Sequence, residues 1–150
     1  MLRKLFYTEA GWPALALRLS LGVVFFAHGS QKVLGWFGGY GLSGTYHAFV
    51  GMGIPPIFAV CAIAAEFLGG IGLLLGLLTR VSAFGIGMVM IVAIATVHKD
   101  IGFFMNWFGQ LPAGKEGFEY HLLAVGMAAA LLIDGGGKLS IDSVIARRLR

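Results

Sequence analysis

The sequence predicts an all-α integral membrane protein: a four-helix bundle with aromatic outer loops and an amphipathic C-terminal helix. Three observations predict it. Only 12% of the 150 residues are charged, against roughly 25% in a soluble domain. Four long apolar stretches alternate with polar or glycine-rich connections, and lysines and arginines flank the stretches. A chain that is 58% hydrophobic before its 24 glycines are counted has too few polar residues to cover such stretches in water. A domain of this size buries only about two-thirds of the surface its unfolded chain exposes. A hydrocarbon core of about 30 Å takes about 20 helical residues per crossing, so four crossings use most of one domain, 1–150.

The first crossing is expected over about 13–34, with Pro13 in its first turn. Its apolar run is interrupted by Arg18 and followed by His28-Gly-Ser-Gln-Lys32, with no small-residue cleavage site, so it is read as retained, not as a signal peptide. The second, about 57–78, starts after Pro55-Pro56 and carries Glu66 in an apolar run. Ala65, Gly69, Gly72 and Gly76 form a small-residue stripe along it that should pack closely on a neighbour. Thr79 and Arg80 separate it from the third crossing, about 81–98, which makes a tight antiparallel hairpin. The fourth, about 118–134, ends at Asp134-Gly-Gly-Gly, a flexible helix exit. Gly135-Gly-Gly-Lys138 lacks the spacing of a phosphate-binding loop. In the tail, 139–150, Ile141, Val144, Ile145 and Leu149 share one helical face among arginines, the pattern of a helix lying on a membrane surface.

Basic residues near the helix ends set orientation. Arg3, Lys4, Arg80, Lys138, Arg147, Arg148 and Arg150 oppose Lys32, Lys99 and Lys115, seven against three. Both termini are therefore expected in the cytoplasm of a multi-pass membrane protein. Arg18 and Arg80 are read as structural and topological, with Arg18 snorkelling to the inner interface. The net charge of +4 flanks apolar segments instead of clustering on a soluble face, which points to anionic lipid and not to nucleic acid. Cys61 is the single cysteine, so no intrachain disulfide or two-thiol redox pair can form.

The outward connections are rich in aromatics: Trp36, Phe37, Tyr40, Tyr46, His47 and Phe49 in one, Phe103, Phe104, Trp107 and Phe108 in the other. Residues of this kind mark membrane interfaces. His28 preceding Trp36-Phe-Gly resembles His98 preceding Trp107-Phe-Gly, and Glu66-Phe resembles Glu119-Tyr, the pattern of two duplicated helical hairpins. At about 1.5 Å per residue, Glu66 and Glu119 lie about 21 to 23 Å above the inner end, and His28 and His98 about 26 Å above it. These four groups are expected to form one polar layer in the outer half of the bundle, as catalytic or proton-relaying residues. Lys32, one turn beyond His28, would neutralise a glutamate or hold substrate. Trp36 and Trp107 are the expected substrate-binding aromatics. His47 and His121 are placed outside the layer, His121 because it is about 200° round the helix from Glu119.

Ionisable groups in a bilayer are expensive, face the interior and find partners. A purely structural ion-pair network therefore competes with a functional pocket. Within a pocket, His28, His98, Glu66 and Glu119 have metal-ligand chemistry but no tight ligand spacing, so no metal is assigned. A quinone headgroup would use the histidine, lysine and glutamate donors and an apolar groove. A small anion would use Lys32 and protonated histidine.

Arg18, His28-Gly-Ser-Gln-Lys32, Glu66, Glu119 and Gly-Gly-Gly-Lys-Leu-Ser-Ile-Asp142 together resemble the DoxX family of small four-helix membrane proteins, over nearly the whole chain. The resemblance implies membrane oxidoreductase work. One relative is a subunit of an archaeal thiosulfate:quinone oxidoreductase, and others belong to membrane assemblies handling thiol and oxidative stress. The expectation is thus a redox-associated protein with an outer pocket for quinone or a small sulfur or oxygen species, working as a subunit of an oxidoreductase system. Whether the chain is itself an enzyme stays open, because no cofactor motif carries electrons. The alternative is a non-catalytic assembly subunit of a larger membrane complex. Its partners would be the lipid bilayer and other membrane or redox subunits, with a homo-oligomer as a further option.

Overall fold

The computed structural model describes residues 5–9, 11–112 and 114–148. Six helices account for most of them: α1 (Trp12–Leu34), α2 (Gly41–Gly51), α3 (Pro56–Leu75), α4 (Thr79–Ala93), α5 (Glu119–Asp134) and α6 (Ile141–Arg148). No strand occurs among the described residues. Three helical stretches, Trp12–Leu34, Pro56–Leu75 and Thr79–His98, are long and apolar enough to cross a membrane. This is the helical membrane architecture that the sequence predicts.

The helix limits have local causes. Pro13 and Pro56 lie in the first turns of α1 and α3, where a missing N–H costs nothing. Gly35 and Gly76 end the same two helices in left-handed conformations. The tight hairpin turn is accordingly Gly76–Leu78, and Thr79 and Arg80 open α4 instead of forming the turn. At its far end α4 widens into a π turn, Ile94–His98. The first outer connection holds a short 3₁₀ turn at Trp36–Gly38 and then α2, a helix that hydropathy alone does not reveal.

α1 packs on α3, α3 on α4, α4 on α5, and α5 back on α1, closing a ring around one core that includes Leu21, Phe25, Leu73, Ile86, Ala128 and Leu131. Three residues of the predicted small-residue stripe face α4, with Gly69 beside Ile86, Gly72 beside Ser82 and Ala65 against Gly85, while Gly76 ends α3 and meets Ser140 and Arg18 instead. A second stripe, not foreseen, lets α1 touch α3 backbone to backbone through Gly22, Gly29 and Gly70. A Cβ on Gly29 would meet Phe67 N at 2.6 Å and the Glu66 carbonyl carbon at 2.9 Å. Gly29→Ala is therefore expected to lower stability by about 1 to 3 kcal/mol, the cost of overpacking. Gly126, with open space around it, is the control. Gly126→Ala should be neutral or stabilising by up to about 1 kcal/mol, both effects being read from thermal unfolding in detergent.

Arg18 departs from expectation. Its guanidinium does not snorkel outward: the residue is 2% exposed and its N–H groups donate to Gly136 O (2.9 Å), Leu73 O (2.9 Å), Leu74 O (2.7 Å), Lys138 O (3.2 Å) and Leu139 O (2.7 Å). These carbonyls belong to the end of α3 and to the glycine exit of α5, where no further helical turn supplies donors. Gly135, Gly136 and Gly137 are buried, so the exit is a fixed structure and not a flexible one. Arg80 serves α5 in the same way, donating to Leu132 O and Ile133 O. Asp142, at the start of α6, accepts from the N–H groups of Leu78 and Thr79, both at 2.8 Å, and so caps α4. The tail is thereby docked on the bundle end. Arg3, Lys4, Leu149 and Arg150, used above for orientation and amphipathicity, lie outside the described residues.

Candidate functional site

The end of the bundle opposite the termini gathers polar side chains from each of the four ring helices. The close α1–α3 crossing at Gly29 brings Lys32 to α3, where its Nζ donates to Glu66 Oε2 at 2.5 Å. The side chains are 20% and 5% exposed, so the pair is largely shielded from solvent. Of the two expected partners for Lys32, Glu66 is the one found. His28, one turn earlier on α1, lies on an exposed flank, its ring 6.4 Å from that of Phe25. It is within electrostatic reach of Lys32 and Glu66.

His98 sits at the end of the π turn that continues α4, a distortion common at functional sites. Its Nδ1–H donates to Glu116 O at 2.6 Å. Because a carbonyl only accepts, this bond fixes the tautomer of the neutral ring, with Nε2 as its acceptor nitrogen. Against it lies His121 of α5, the ring centroids 4.0 Å apart and the planes at 42°. His121 is buried, and its Nδ1 has no hydrogen-bond partner among the described residues, nor has the hydroxyl of Tyr120. Buried polar atoms are nearly always paired, so each of these two atoms calls for an occupant such as a water or a ligand.

His121 is thus inside the layer from which it was excluded. The inward face of α5 is His121, Ala124, Ala128 and Leu131, spaced three, four and three apart. Glu119, used as the reference for that face, is the first residue of α5 and turns to the preceding loop. It accepts from Met105 N–H at 2.8 Å and from Trp107 Nε1–H at 2.5 Å. Glu116 binds Asn106 N–H at 2.7 Å, so the two carboxylates fasten residues 105–107. Glu66 thus pairs with Lys32 across α1 and α3, whereas Glu119 serves the preceding loop.

Trp36 and Trp107 are both exposed at this end. A groove of about 380 Å³ lies within residues 101–111, lined by Phe103, Phe104, Trp107 and Phe108 and by no histidine. His47, as expected, is outside the layer, its Nδ1–H donating to Ser43 O at 2.8 Å. The spacing of small residues along α5 is the signal that could have identified His121. Tyr120 carries no such signal.

The sequence has relatives among known proteins. The chain is 30% identical over 131 residues to the Bacillus subtilis (strain 168) protein named Putative oxidoreductase CatD, covering 87% of this chain and 85% of that protein. It is 27% identical over 135 residues to Inner membrane protein YqjF of Escherichia coli (strain K12), covering 89% of this chain and 92% of that one. No solved structure matches it. Residues 14–99, which hold Arg18, His28, Lys32, Glu66 and His98, match the family model described as DoxX. A match over more than half of the chain, and relatives aligned along nearly all of it, make this protein a member of the DoxX family.

Proposed function

We propose that this DoxX protein is a redox-associated subunit of an oxidoreductase system in the cytoplasmic membrane, its polar layer receiving a quinone headgroup or a small sulfur or oxygen species. The observation that carries the reading is two buried groups, unpartnered among the described residues, on successive residues of α5: His121 Nδ1, whose ring lies against His98, and the Tyr120 hydroxyl. In this reading α1, α3, α4 and α5 all cross, both termini are cytoplasmic, and the layer lies in the outer half. The oxidoreductase name of the B. subtilis relative supports redox work, and the excess of basic residues at the terminal end supports the orientation.

The residues fit a quinone oxygen, which needs a hydrogen-bond donor and a nearby route for protons. Tyr120 and His121 would hold it, His98 would exchange protons through Nε2, and His28 would connect the layer to its exposed flank. The Lys32–Glu66 pair fixes α1 against α3. Glu119 acts on the layer through Trp107 and the aromatic loop. A bound quinone would supply two-electron, two-proton carrier chemistry, with the electrons arriving from a partner subunit. His121→Phe keeps a ring against His98 but removes both nitrogens. It should leave helix content and detergent stability nearly unchanged, while binding of a short-chain quinone, followed by quenching of tryptophan fluorescence, weakens about tenfold or more. Equal binding by wild type and variant, or none by either, would sink the proposal.

One observation favours the alternative of a non-catalytic assembly subunit: Lys32 and Glu66 satisfy each other, as groups retained for packing would. A stoichiometric partner in native mass spectrometry from mild detergent, with no retained small molecule, selects that reading.

A further inference from the structure

At the opposite end of the bundle, where the chain begins and ends, a groove of about 690 Å³ runs between the N-terminal segment and α6. The volume falls in the range of ligand sites, about 300 to 1,000 Å³. Its lining divides by chemistry. Leu139, Ile141 and Val144 give an apolar wall, while Tyr7, Lys138 and Arg147 give a polar rim with two cations.

The charges at this end are unequal in how they are used. Arg18 and Arg80 are consumed by backbone carbonyls, and Asp142 by the N-terminus of α4. Lys138 and Arg147 have no carboxylate within 4.0 Å among the described residues, where Lys32–Glu66 is the single ion pair. Lys138 instead holds its ammonium 4.4 Å from the centre of the Trp12 ring, a geometry that keeps the charge near an exposed, interface-type aromatic. The carboxylates of Glu9 and Asp134 do not line the groove.

Leu139 adds a second, independent observation. It adopts a left-handed backbone conformation, φ 54, which a branched apolar side chain rarely tolerates. Yet it is 78% exposed and held there because Arg18 binds its carbonyl. The fold thus strains the chain to present an apolar side chain outward, next to two uncompensated cations, at the end of a membrane-embedded bundle.

We infer that this groove is a binding site for one anionic phospholipid of the adjoining leaflet, its phosphate between Lys138 and Arg147 and an acyl chain along Leu139, Ile141 and Val144. The two cations supply the charge complement, and the continuous apolar wall separates a lipid from a free phosphate or a soluble anion. This site is independent of the polar layer and of any redox role.

The test uses the full chain purified in mild detergent and titrated with phosphatidylglycerol, phosphatidylcholine or glycerol phosphate, read by native mass spectrometry and thermal unfolding. One phosphatidylglycerol per chain should be retained and raise the unfolding temperature, while phosphatidylcholine and glycerol phosphate do neither. K138Q/R147Q should weaken retention about twenty-fivefold, two basic groups at a lipid surface contributing about fivefold each. Added salt should narrow that difference. Leu139→Asn, which suits the left-handed backbone, should weaken retention while leaving the fold intact, and it remains informative if the double variant does not fold. Equal retention of the two lipids, equal retention by Leu139→Asn and wild type, or glycerol phosphate acting as well as the lipid overturns the site. So does stronger phosphatidylglycerol binding after removal of residues 1–4, which would make the chain's own start the occupant.

Discussion

Arg18→Met is expected to prevent accumulation of the folded protein. A guanidinium has five N–H donors, and in this fold all of them are engaged, each by a backbone carbonyl from one of two separate segments. Met fills much of the volume and supplies no donor. A buried acceptor left without a partner costs about 1 to 3 kcal/mol, so losing several at once removes a stability comparable with the whole, about 5 to 15 kcal/mol. Arg18→Lys retains the charge but has three donors on a compact head, and should fold with a markedly lowered unfolding temperature. The measurement is monodispersity and thermal unfolding in detergent. Wild-type stability in Arg18→Met would mean that the end of α3 and the glycine exit are held by other contacts. Gly76 reinforces the point, since a Cβ there would meet Arg18 Cζ at 3.1 Å. The arginine and the glycine are two halves of one joint.

That joint shows where sequence reasoning reaches its limit. Hydropathy, small-residue spacing and depth arithmetic suffice for α1, α3, α4 and α5 but not α2, for the facing of Ala65 and Gly69 toward a neighbour, and for the meeting of Lys32 with a carboxylate. Each of these depends on side chains whose pattern is visible. Arg18 finds backbone carbonyls, which every residue carries, so nothing in the sequence marks them as its partners. The snorkelling expectation treated the inner interface as the nearest polar region, whereas the nearest was the unfinished end of α3. His121 was misplaced for a different reason. A carboxylate in an apolar run should face the bundle, which makes Glu119 the inward reference, but α5 starts at Glu119, and the loop before it offers N–H donors to its carboxylate. Tyr120 is legible only once the structure shows its hydroxyl buried without a partner.

Glu66→Ala should be the most damaging single change in the polar layer, and a paired change should largely repair it. Removing the carboxylate leaves the Lys32 ammonium without its partner in a mostly dry site. Breaking such a pair costs about 3 to 5 kcal/mol, whereas replacing both members with apolar residues of similar volume is often neutral or stabilising. Glu66→Ala is therefore expected to unfold at a much lower temperature, Lys32→Met less so because a carboxylate can take up a proton, and E66M/K32M close to wild type. The double variant then separates the two readings of the layer. If the pair exists for packing, a protein with two methionines is stable and keeps any quinone-linked activity of its membrane system. If the pair sets the position and charge of a working site, the same stable protein loses short-chain quinone binding, because α1 and α3 still pack through Gly29 while the charged groups beside His28 and Tyr120 are gone. A double variant as unstable as Glu66→Ala would show that hydrogen bonding by Glu66, and not cancellation of charge, is what holds this end of the bundle.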